Sequence, residues 1–482
     1  MAFLIIAVIL LIVDRTRLVS QNSELITNPS EKHSNSIAVL PFKDISAQQN
    51  QTYFSDGLAE ELINTLSKIS NIKVTSRTSA FALRNDSFDI PTIAKKLGVN
   101  YILEGSVRTH DSIIRVSVQL VDTKNDTYAW SQTWDKPLKN IFQIQNEISL
   151  TVAKKLQLKI AGNPQEVKQV DPVAYKLFLQ SRYEFQNNEY SEGAKAAEHF
   201  LKESLQIDST YAPSWGLLSR IYHYQNNAGV LDIDKGYPLA LNAGLKAIAL
   251  DSTYASVYGI MTTIAIDYEK DFKKAQELVN KGLRLEPNNP DVLESAAEVA
   301  FINDDLEKAL NYHLKIVELN PLDPSSFFSL SLGYYWLGDY PAAEKALRKS
   351  GDLGLKGQID NQLLSIILLL QGRPTEAHHA AQNETETPFR LQALAMTYYA
   401  LNNKPEAAKN LQLLIDGYQE NYCFQIASVY AFYKDKDKVF YWLEKGVEAK
   451  DFGLIESKTD PLFDFAKEDP RWPILMRKIG LL

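Results

Sequence analysis

The sequence predicts a multidomain fold with three parts: an N-terminal transmembrane helix, a mixed α/β domain, and an all-α superhelix of stacked helical hairpins, or α-solenoid. Three observations lead to this prediction. The first 13 residues are all apolar, residues 36–160 mix strand-like and helix-like apolar patterns, and a short phrase returns every 34 residues later in the chain. At roughly 150 residues a domain, a chain of 482 residues has room for all three parts.

Composition argues against several classes of site. The formal net charge of −8 disfavours a surface for nucleic acid, since neutralising phosphates requires clusters of lysine and arginine. Cys423 is the only cysteine, which rules out an intramolecular disulfide and a cysteine-rich metal site. The seven histidines show no metal-ligand spacing, and no phosphate-loop or dinucleotide glycine motif occurs. We therefore predict no catalytic residues, no metal, no cofactor and no small-molecule substrate.

Residues 1–19 are predicted to form the transmembrane helix. The apolar run of 13 residues is short against the ~20 needed to cross a bilayer, but Leu18 and Val19 extend it if Arg15 and Arg17 reach the headgroups. A buried helix of a soluble domain and a signal peptide are the alternatives. The abrupt apolar start suggests that upstream sequence is missing. The polar residues 20–35 are expected to form a flexible tether.

Residues 36–160 carry the pattern of a mixed sheet with helices packed on it. Apolar runs and alternation with period 2 predict strands at 37–42, 72–74, 101–108, 113–121 and 126–134. Apolar spacings of three and four predict helices at 58–69, 90–97 and 138–160. Asp56 is expected to cap the first of these helices and Gly98 to end the second. Gly105, inside a strand, indicates a bulge or a close backbone approach.

Several phrases of this region resemble one domain family. They are 36–42 (SIAVLPF), 53–58 (YFSDGL), 76–81 (SRTSAF), 97–108 (LGVNYILEGSVR) and 129–134 (AWSQTW). The region resembles the TolB amino-terminal-like (FlgO-like) domain of bacterial membrane proteins, which commonly lies between a transmembrane helix and helical repeats. The resemblance implies a non-catalytic, extracytoplasmic module. Members of the family often carry an adenylate cyclase or winged-helix DNA-binding domain upstream, and neither occurs in this sequence.

Residues 173–450 are predicted to form about eight helical hairpins. An alanine recurs at 34-residue intervals, at Ala275, Ala309, Ala343 and Ala377. One stretch also matches the tetratricopeptide (TPR) signature W-x2-L-G-x2-Y with serine in place of glycine, at Trp215, Leu218, Ser219 and Tyr222. Residues 161–172 are predicted to be a linker, and 451–482 a segment that caps the open end of the array.

The first helix of each hairpin is expected to face the concave side of the array. Seven residues are predicted to point into this groove and bind a partner: Arg220, His223, Asp267, Glu294, Glu298, Tyr335 and Tyr399. Acidic and aromatic side chains together suit an extended or helical peptide that carries basic residues. The alternative is a solvated face that binds nothing, with most of the aromatic side chains in the core.

The preferred hypothesis is a bacterial membrane-anchored TPR protein that binds protein or peptide partners as a scaffold or sensor. It crosses the inner membrane once, with its soluble part in the periplasm, although Arg15 and Arg17 favour the cytoplasm by the positive-inside rule. The alternative is the sensory part of an adenylate cyclase, or of a transmembrane winged-helix transcriptional regulator, whose output domain is missing upstream. An enzyme in its own right is the least favoured hypothesis.

Overall fold

The computed structural model describes residues 35–47, 51–69, 71–84, 88–110, 113–137, 140–156, 170–187, 190–354 and 360–481. The predicted transmembrane helix lies outside these residues, as do most of the predicted tether and linker. No helix in the described ranges is long and apolar enough to span a membrane. The chain forms two compact units: the first runs to Ala296 and includes Glu318–Leu322, and the second contains Ala297–Val317 and Asp323–Leu482.

An α/β domain opens the first unit. Its described elements are β1 (Ser36–Val39), β2 (Lys43–Asp44), α1 (Thr52–Ser67), β3 (Lys73–Val74), α2 (Arg77–Phe81), α3 (Ile90–Leu97), β4 (Tyr101–His110), β5 (Ile113–Asp122), β6 (Thr127–Pro137) and α4 (Ile141–Lys155). The strands form one sheet in the order β3-β1-β4-β5-β6, and β2 also pairs with β4. β1 and β2 are parallel to β4, and β1 is parallel to β3, whereas β4, β5 and β6 are antiparallel neighbours. The predicted mixed sheet is therefore present.

One face of the sheet lies in the main core. The other face is polar on β5, whereas on β1 and β4 its residues Ala38 and Ile102 pack in a smaller core with α3. On β5, Ile114, Val116 and Val118 are fully buried and share a core with Leu62 of α1 and Ile148 of α4. Because successive side chains of a strand point to opposite faces, the residues between them lie on the other side: Arg115, Ser117 and Gln119. Alternation in the sequence therefore identified the buried face correctly.

Two predicted helix ends can be compared with the structure. Gly98 follows α3 with φ 64°, the left-handed conformation that often ends a helix. The prediction for Asp56 is wrong: α1 already begins at Thr52, so Asp56 lies within the helix, where it is buried and lies 2.5 Å from Arg84. The helix extends upstream because Phe54 is buried in the same core and lengthens the apolar face.

Helical hairpins follow in the first unit. They comprise α5 (Pro172–Asn187) with α6 (Tyr190–Ile207), α7 (Ala212–Asn227) with α8 (Ile233–Leu250), and α9 (Ala255–Ile264) with α10 (Phe272–Leu285). A π-helical turn, Ala265–Glu269, follows α9 directly. These pairs agree with the hairpins predicted from the repeat.

The core of the α/β domain continues into these hairpins. One cluster of buried side chains extends from Ile37 in β1 through Leu179 in α5 to Ile264 in α9. A Cβ added to Gly57 of α1 would meet Leu179 Cδ2 at 2.6 Å, so glycine at this position lets α1 and α5 come close. The domain boundaries drawn from the sequence stay predictions, but the α/β domain and the first hairpins do not have separate cores.

The segment Glu318–Leu322 also packs on the α/β domain within the first unit. The Ser76 amide donates to the Leu319 carbonyl at 3.0 Å, and the Leu322 amide donates to Ser79 Oγ at 3.0 Å. Leu322 packs against a small core that contains Leu83. The start of α2 is thus held by a segment some 240 residues further along the chain.

The second unit contains the later hairpins and the capping segment. α11 (Pro290–Ile302) crosses the division between the units. The elements after it are α12 (Leu306–Leu319), α13 (Pro324–Trp336), α14 (Tyr340–Asp352), α15 (Asp360–Leu370), α16 (Pro374–Asn383), α17 (Thr387–Ala400), α18 (Lys404–Tyr418), α19 (Cys423–Phe432), α20 (Lys436–Ala449), the 3₁₀ helices Phe452–Lys458 and Pro461–Ala466, and α21 (Trp472–Ile479). Ala343 is fully buried, and Ser331 Oγ of α13 donates to its carbonyl at 2.9 Å. A small residue of the repeat thus permits close helix packing, as predicted.

Candidate partner-binding surface

Three of the predicted groove residues make an ion pair or a hydrogen bond inside the first unit. Arg220 Nη2 lies 2.5 Å from Asp291 Oδ2, and this aspartate is the main cause that raises the pKa of Arg220. His223 Nε2 lies 3.2 Å from Asp267 Oδ2. Arg220, His223 and Asp267 therefore satisfy much of their hydrogen-bonding capacity within the chain.

A π-helical turn positions the second of these pairs. The turn Ala265–Glu269 places Asp267 beside His223 on α7 and Tyr237 on α8, whose hydroxyl lies 3.5 Å from Asp267 Oδ2. Tyr268 of the same turn stacks on Tyr237 with ring centroids 4.9 Å apart. π turns are frequent at functional sites because the extra residue changes the direction of side chains. The sequence pattern contained no signal for this turn.

The two glutamates of the predicted groove fall in different units. Glu294 is exposed and belongs to the first unit, whereas Glu298 is partly buried and belongs to the second. Both residues already make interactions within the chain. Recognition of a basic peptide by these glutamates stays a prediction.

Tyr335 is not presented to a partner, and its predicted place in an open groove is wrong. Only 3% of the residue is exposed. Its hydroxyl donates to Asp460 Oδ1 at 2.8 Å, and the same oxygen accepts the Leu462 amide at 2.8 Å. The capping segment covers Tyr335, a long-range contact that the spacing of α13 could not reveal.

The carboxylates beside Tyr335 have shifted pKa values. Burial raises the pKa of Asp460 to about 6, against the lowering effect of the hydrogen bonds from Leu462 and Tyr335. Burial and the charges of Asp460 and Asp451 raise the pKa of Glu456 to about 7. Both carboxyl groups therefore hold a proton more tightly in the folded chain than in the unfolded one.

These shifts predict a pH dependence of stability in the second unit. The protonated carboxyl groups of Asp460 and Glu456 contribute fully to the free energy of unfolding below about pH 4, the pKa of an unfolded carboxyl group. This contribution is lost as pH rises through about 6 to 7. We expect Glu456→Gln to raise the melting temperature at pH 8 and to change it little at pH 4. Thermal unfolding across this range measures the difference, with exposed Glu448→Gln as the control. A difference that is the same at every pH would contradict the assignment.

Tyr399 is partly exposed and belongs to an aromatic group that we call the Tyr399 cluster, defined as Tyr399, Tyr430, Phe432 and Tyr433. Tyr399 is 37% exposed and stacks on Tyr433 with ring centroids 4.1 Å apart. Phe432 and Tyr430 lie 6.4 Å from Tyr399 and 6.3 Å from Tyr433, respectively. The Tyr433 hydroxyl donates to the Ala395 carbonyl at 2.9 Å, which orients the stack. Sequence reasoning identified Tyr399 and missed its three neighbours, which come from the next hairpin.

A chain of hydrogen bonds links α17 and α19, which carry most of this cluster, to α15. Gln362 Nε2 of α15 donates to Gln392 Oε1 of α17 at 3.0 Å, and Gln392 Nε2 donates to Ser428 Oγ of α19 at 2.6 Å. Gln392 and Ser428 are buried. Since buried amides without partners are costly, this chain specifies the spacing of three successive first helices. The helices that carry the Tyr399 cluster are therefore held at a defined spacing.

The described residues contain no group of His, Cys, Asp and Glu that could hold a metal ion. His313 is buried, and desolvation lowers its pKa to about 4, so it is neutral at physiological pH. Cys423 is buried, and burial raises the pKa of its thiol to about 11, which suppresses the reactive thiolate. Neither side chain has the environment of a catalytic group.

The architecture is that of a mixed α/β domain followed by a TPR-like array of helical hairpins. Residues 32–151 match the family model described as HilA/YgeH-like transcriptional regulator, second domain. This family differs from the TolB amino-terminal-like family that the sequence resembles, so that resemblance stays a prediction. The match covers about a quarter of the chain.

A curated relative is the putative adenylate cyclase 3 of Rhizobium meliloti (strain 1021), 37% identical over 191 residues. The matched part is 39% of this chain and 32% of the relative, so this chain spans about a third of that protein's length. The similarity therefore concerns one part of a longer protein. The activity named for the relative does not follow for this chain.

Solved structures with similar folds include TPR proteins. Pseudomonas aeruginosa PilF is 17% identical with a TM-score of 0.37, and the alignment covers 44% of this chain and 93% of that chain. A tetratricopeptide repeat protein from Parabacteroides merdae ATCC 43184 is 15% identical with a TM-score of 0.37, over 57% of this chain and 100% of that chain. The paired helices of this chain carry the assignment to the TPR-like class by themselves.

Proposed function

We propose that this chain is the non-catalytic, partner-binding part of a membrane-anchored bacterial signalling protein. Its hairpins bind a protein or peptide, and its α/β domain holds them near the predicted membrane helix. One observation supports this most: the α/β domain and the first hairpins are joined by a shared core and by buried ion pairs. A displacement of the first hairpins therefore acts directly on the α/β domain.

Arg182 is the centre of this connection. Its side chain on α5 is 9% exposed, and its Nη1 donates to Glu61 Oε1 at 2.7 Å while its Nε lies 3.2 Å from Glu60 Oε2. Its Nη2 donates to the Gly57 carbonyl at 3.2 Å, and Arg77 Nε lies 3.1 Å from the same Glu60 oxygen. Burial by itself lowers the pKa of Arg182, but Glu60 and Glu61 outweigh it and raise that pKa overall. A charge held this way specifies one arrangement of α1 and α5.

The comparisons favour a sensor over a passive scaffold. The matched family model names a domain of transcriptional regulators, and the curated relative is named as an adenylate cyclase. Each name describes a protein with an output, which is regulation of transcription in one case and cyclase activity in the other. We infer that binding at the hairpins is passed through the α/β domain to an output domain, while the described residues themselves catalyse nothing. A scaffold without an output domain is the alternative.

The Tyr399 cluster is the surface that we assign to the partner. Partly exposed aromatic side chains are enriched among the residues that dominate binding energy at protein interfaces. The stacked pair Tyr399–Tyr433 is already ordered, so little side-chain entropy is lost on binding. The cluster therefore suits a protein segment with apolar or basic side chains that lie against aromatic rings.

Site-specific cross-linking tests this assignment. We expect a photoreactive phenylalanine analogue at position 399 to form a discrete adduct with another protein in cells. The same analogue at Tyr128, which is 67% exposed in the first unit, is the control and should give none. Tyr399→Ala is expected to weaken capture of that protein at least about tenfold, the effect of losing one dominant aromatic contact. Equal adducts at both positions, or capture unchanged by Tyr399→Ala, would remove the cluster from the proposal.

We also propose that the soluble part lies in the periplasm, anchored by residues 1–19. Support comes from the apolar run at the N-terminus and from the resemblance of residues 36–160 to an extracytoplasmic domain family. Alkaline phosphatase fused after Leu482 is expected to be active, because this enzyme folds only after export. An inactive fusion, together with an active cytoplasmic reporter at the same position, would place the chain in the cytoplasm.

A further inference from the structure

The polar face of the sheet carries a groove that the partner-binding proposal does not use. Its volume is about 700 Å³, within the range of ligand-binding clefts. The floor comes from the middle of β4 and β5, and one wall comes from the segment after β1. The other wall comes from Leu83, Arg84 and Phe88, together with α3. The groove is defined by Lys43, Glu104, Ser106 and Gln119 on the polar side and by Leu83 and Ile93 on the apolar side.

The groove lies where the order of the parallel strands reverses. After β1 the chain forms the short β2 alongside β4, crosses to β3 on the other side of β1, and then returns to β4. In open α/β sheets a crevice forms at the carboxyl ends of the strands at such a reversal, because the connections leave in opposite directions. Ligands bind preferentially in crevices of this kind, so the fold places the groove where a site is expected.

Two opposite charges in this groove have no partner among the residues that the structure describes. Within the described residues, the side chains of Lys43 and Glu104 make no hydrogen bond and no ion pair. The other charged side chains there are occupied: Arg84 pairs with Asp56, and Asp44 accepts the amides of Ser46 and Gln51. One cationic and one anionic group therefore remain available to a ligand.

The sheet fixes the spacing of these two groups. Lys43 of β2 is paired with Ser106 of β4 in parallel register, and Glu104 lies two residues before Ser106 on the same face. Neighbouring strands are about 4.8 Å apart and two residues span about 6.6 Å, so the two Cα atoms are roughly 8 Å apart. A small group with both charges fits between the side-chain ends. Gln119, directly opposite Glu104, offers an amide beside it.

The wall opposite these charges is apolar. Leu83 and Ile93 are buried at its base, and Leu40, Ile90 and Phe88 lie nearer to solvent. Phe88 is 41% exposed, and its ring contacts the ammonium of Lys96 at 4.5 Å. A ligand held by its charged groups would thus place an apolar side chain against this wall, since removing apolar surface from water is favourable.

We propose that this groove binds a free α-amino acid with an apolar side chain. Glu104 and the Gln119 amide oxygen accept hydrogen bonds from the ammonium group, and Lys43 donates to the carboxylate. The apolar wall contacts the side chain. The site is independent of the partner-binding surface, so the failure of one proposal leaves the other intact.

Calorimetric titration of the full chain in detergent micelles with L-leucine tests the proposal. We expect saturable binding, and tenfold or more weaker binding of isopentylamine and of 4-methylpentanoate, each of which lacks one charged group. Glu104→Gln and Lys43→Gln are each expected to weaken leucine binding about 10- to 100-fold, the effect of removing one charge-assisted hydrogen bond. Glu192→Gln and Lys95→Gln, both exposed and outside the groove, are the matched controls and should bind as the wild type does.

Three other results of these titrations would contradict the proposed amino-acid site. Absence of heat with leucine, methionine and phenylalanine would overturn it. So would equal affinity for leucine and isopentylamine, because Lys43 would then have no role. If Glu104→Gln weakens binding but also lowers the melting temperature of the ligand-free chain, Gln119→Ala decides: unchanged leucine affinity in that variant overturns the assignment.

Discussion

Replacing Arg182 with alanine is expected to lower the free energy of unfolding by about 3–5 kcal/mol, since removing one partner of a buried ion pair leaves the other charges buried and unpaired. The guanidinium group contacts Glu60, Glu61 and the Gly57 carbonyl, and its carbon lies 5.1 Å from the centre of the Phe178 ring. The loss therefore affects the α/β domain and the first hairpin together. Urea unfolding followed by tryptophan fluorescence and by far-ultraviolet circular dichroism measures it.

Arg115→Ala is the matched control for this prediction. Arg115 also makes a two-point ion pair, with Asp135 at 2.7 and 2.8 Å, but both side chains are about half exposed. Water screens this pair and solvates either partner when the other is removed, so we expect a much smaller change. Similar losses for both variants would contradict the central role of Arg182. A shift seen by only one spectroscopic probe would contradict the shared core.

Replacing Gly105 with valine is expected to destabilise the first unit by about 1–3 kcal/mol, the usual effect of forcing extra atoms into a packed core. A Cβ at this position would lie 2.7 Å from the Ser117 carbonyl oxygen and 2.9 Å from the Phe42 ring. The carbonyl belongs to the neighbouring strand and cannot move without breaking the ladder between β4 and β5. Chemical unfolding of the purified variant gives the difference in free energy.

Gly417→Val is the control for this second prediction. Gly417 lies near the end of α18, and no described atom comes within 4 Å of a Cβ built there. We expect no loss of stability, because the added side chain meets only solvent. Comparable destabilisation by both substitutions would show that a general cost of replacing glycine, rather than the close approach at Gly105, explains the effect.

Local patterns in the sequence were sufficient to predict much of the fold. Period-2 alternation identified the buried side of β5, and the 34-residue recurrence of alanine placed the paired helices, because both patterns follow from the geometry of a single element. The sequence also predicted that Gly98 ends α3 and that the backbone at Gly105 is closely approached by its neighbours, since each feature depends on the missing side chain of one residue.

The candidate site was only partly predictable. Counting along α17 predicted a groove position for Tyr399, which is partly exposed, and its role in binding stays a prediction. The same count for Tyr335 missed the capping segment that buries it. The pairs Arg220–Asp291 and His223–Asp267 join residues 71 and 44 positions apart, counted from their numbers, so no local pattern contains them. Exposure along a helix is local information, whereas occupation of that surface by a distant segment is not.

By itself, therefore, the sequence determined the mixed α/β domain, the helical repeat and the order of their elements, all of which depend on residues close together along the chain. The transmembrane helix stays a prediction. Only the tertiary structure decided that Arg182 joins the first hairpin to the α/β domain and that Asp56 is buried. It also decided that Lys43 and Glu104 face one groove with no partner in the described part of the chain. The reason is physical: burial and pairing of a charge depend on which distant segments exclude water from it, and that is settled only when the chain packs.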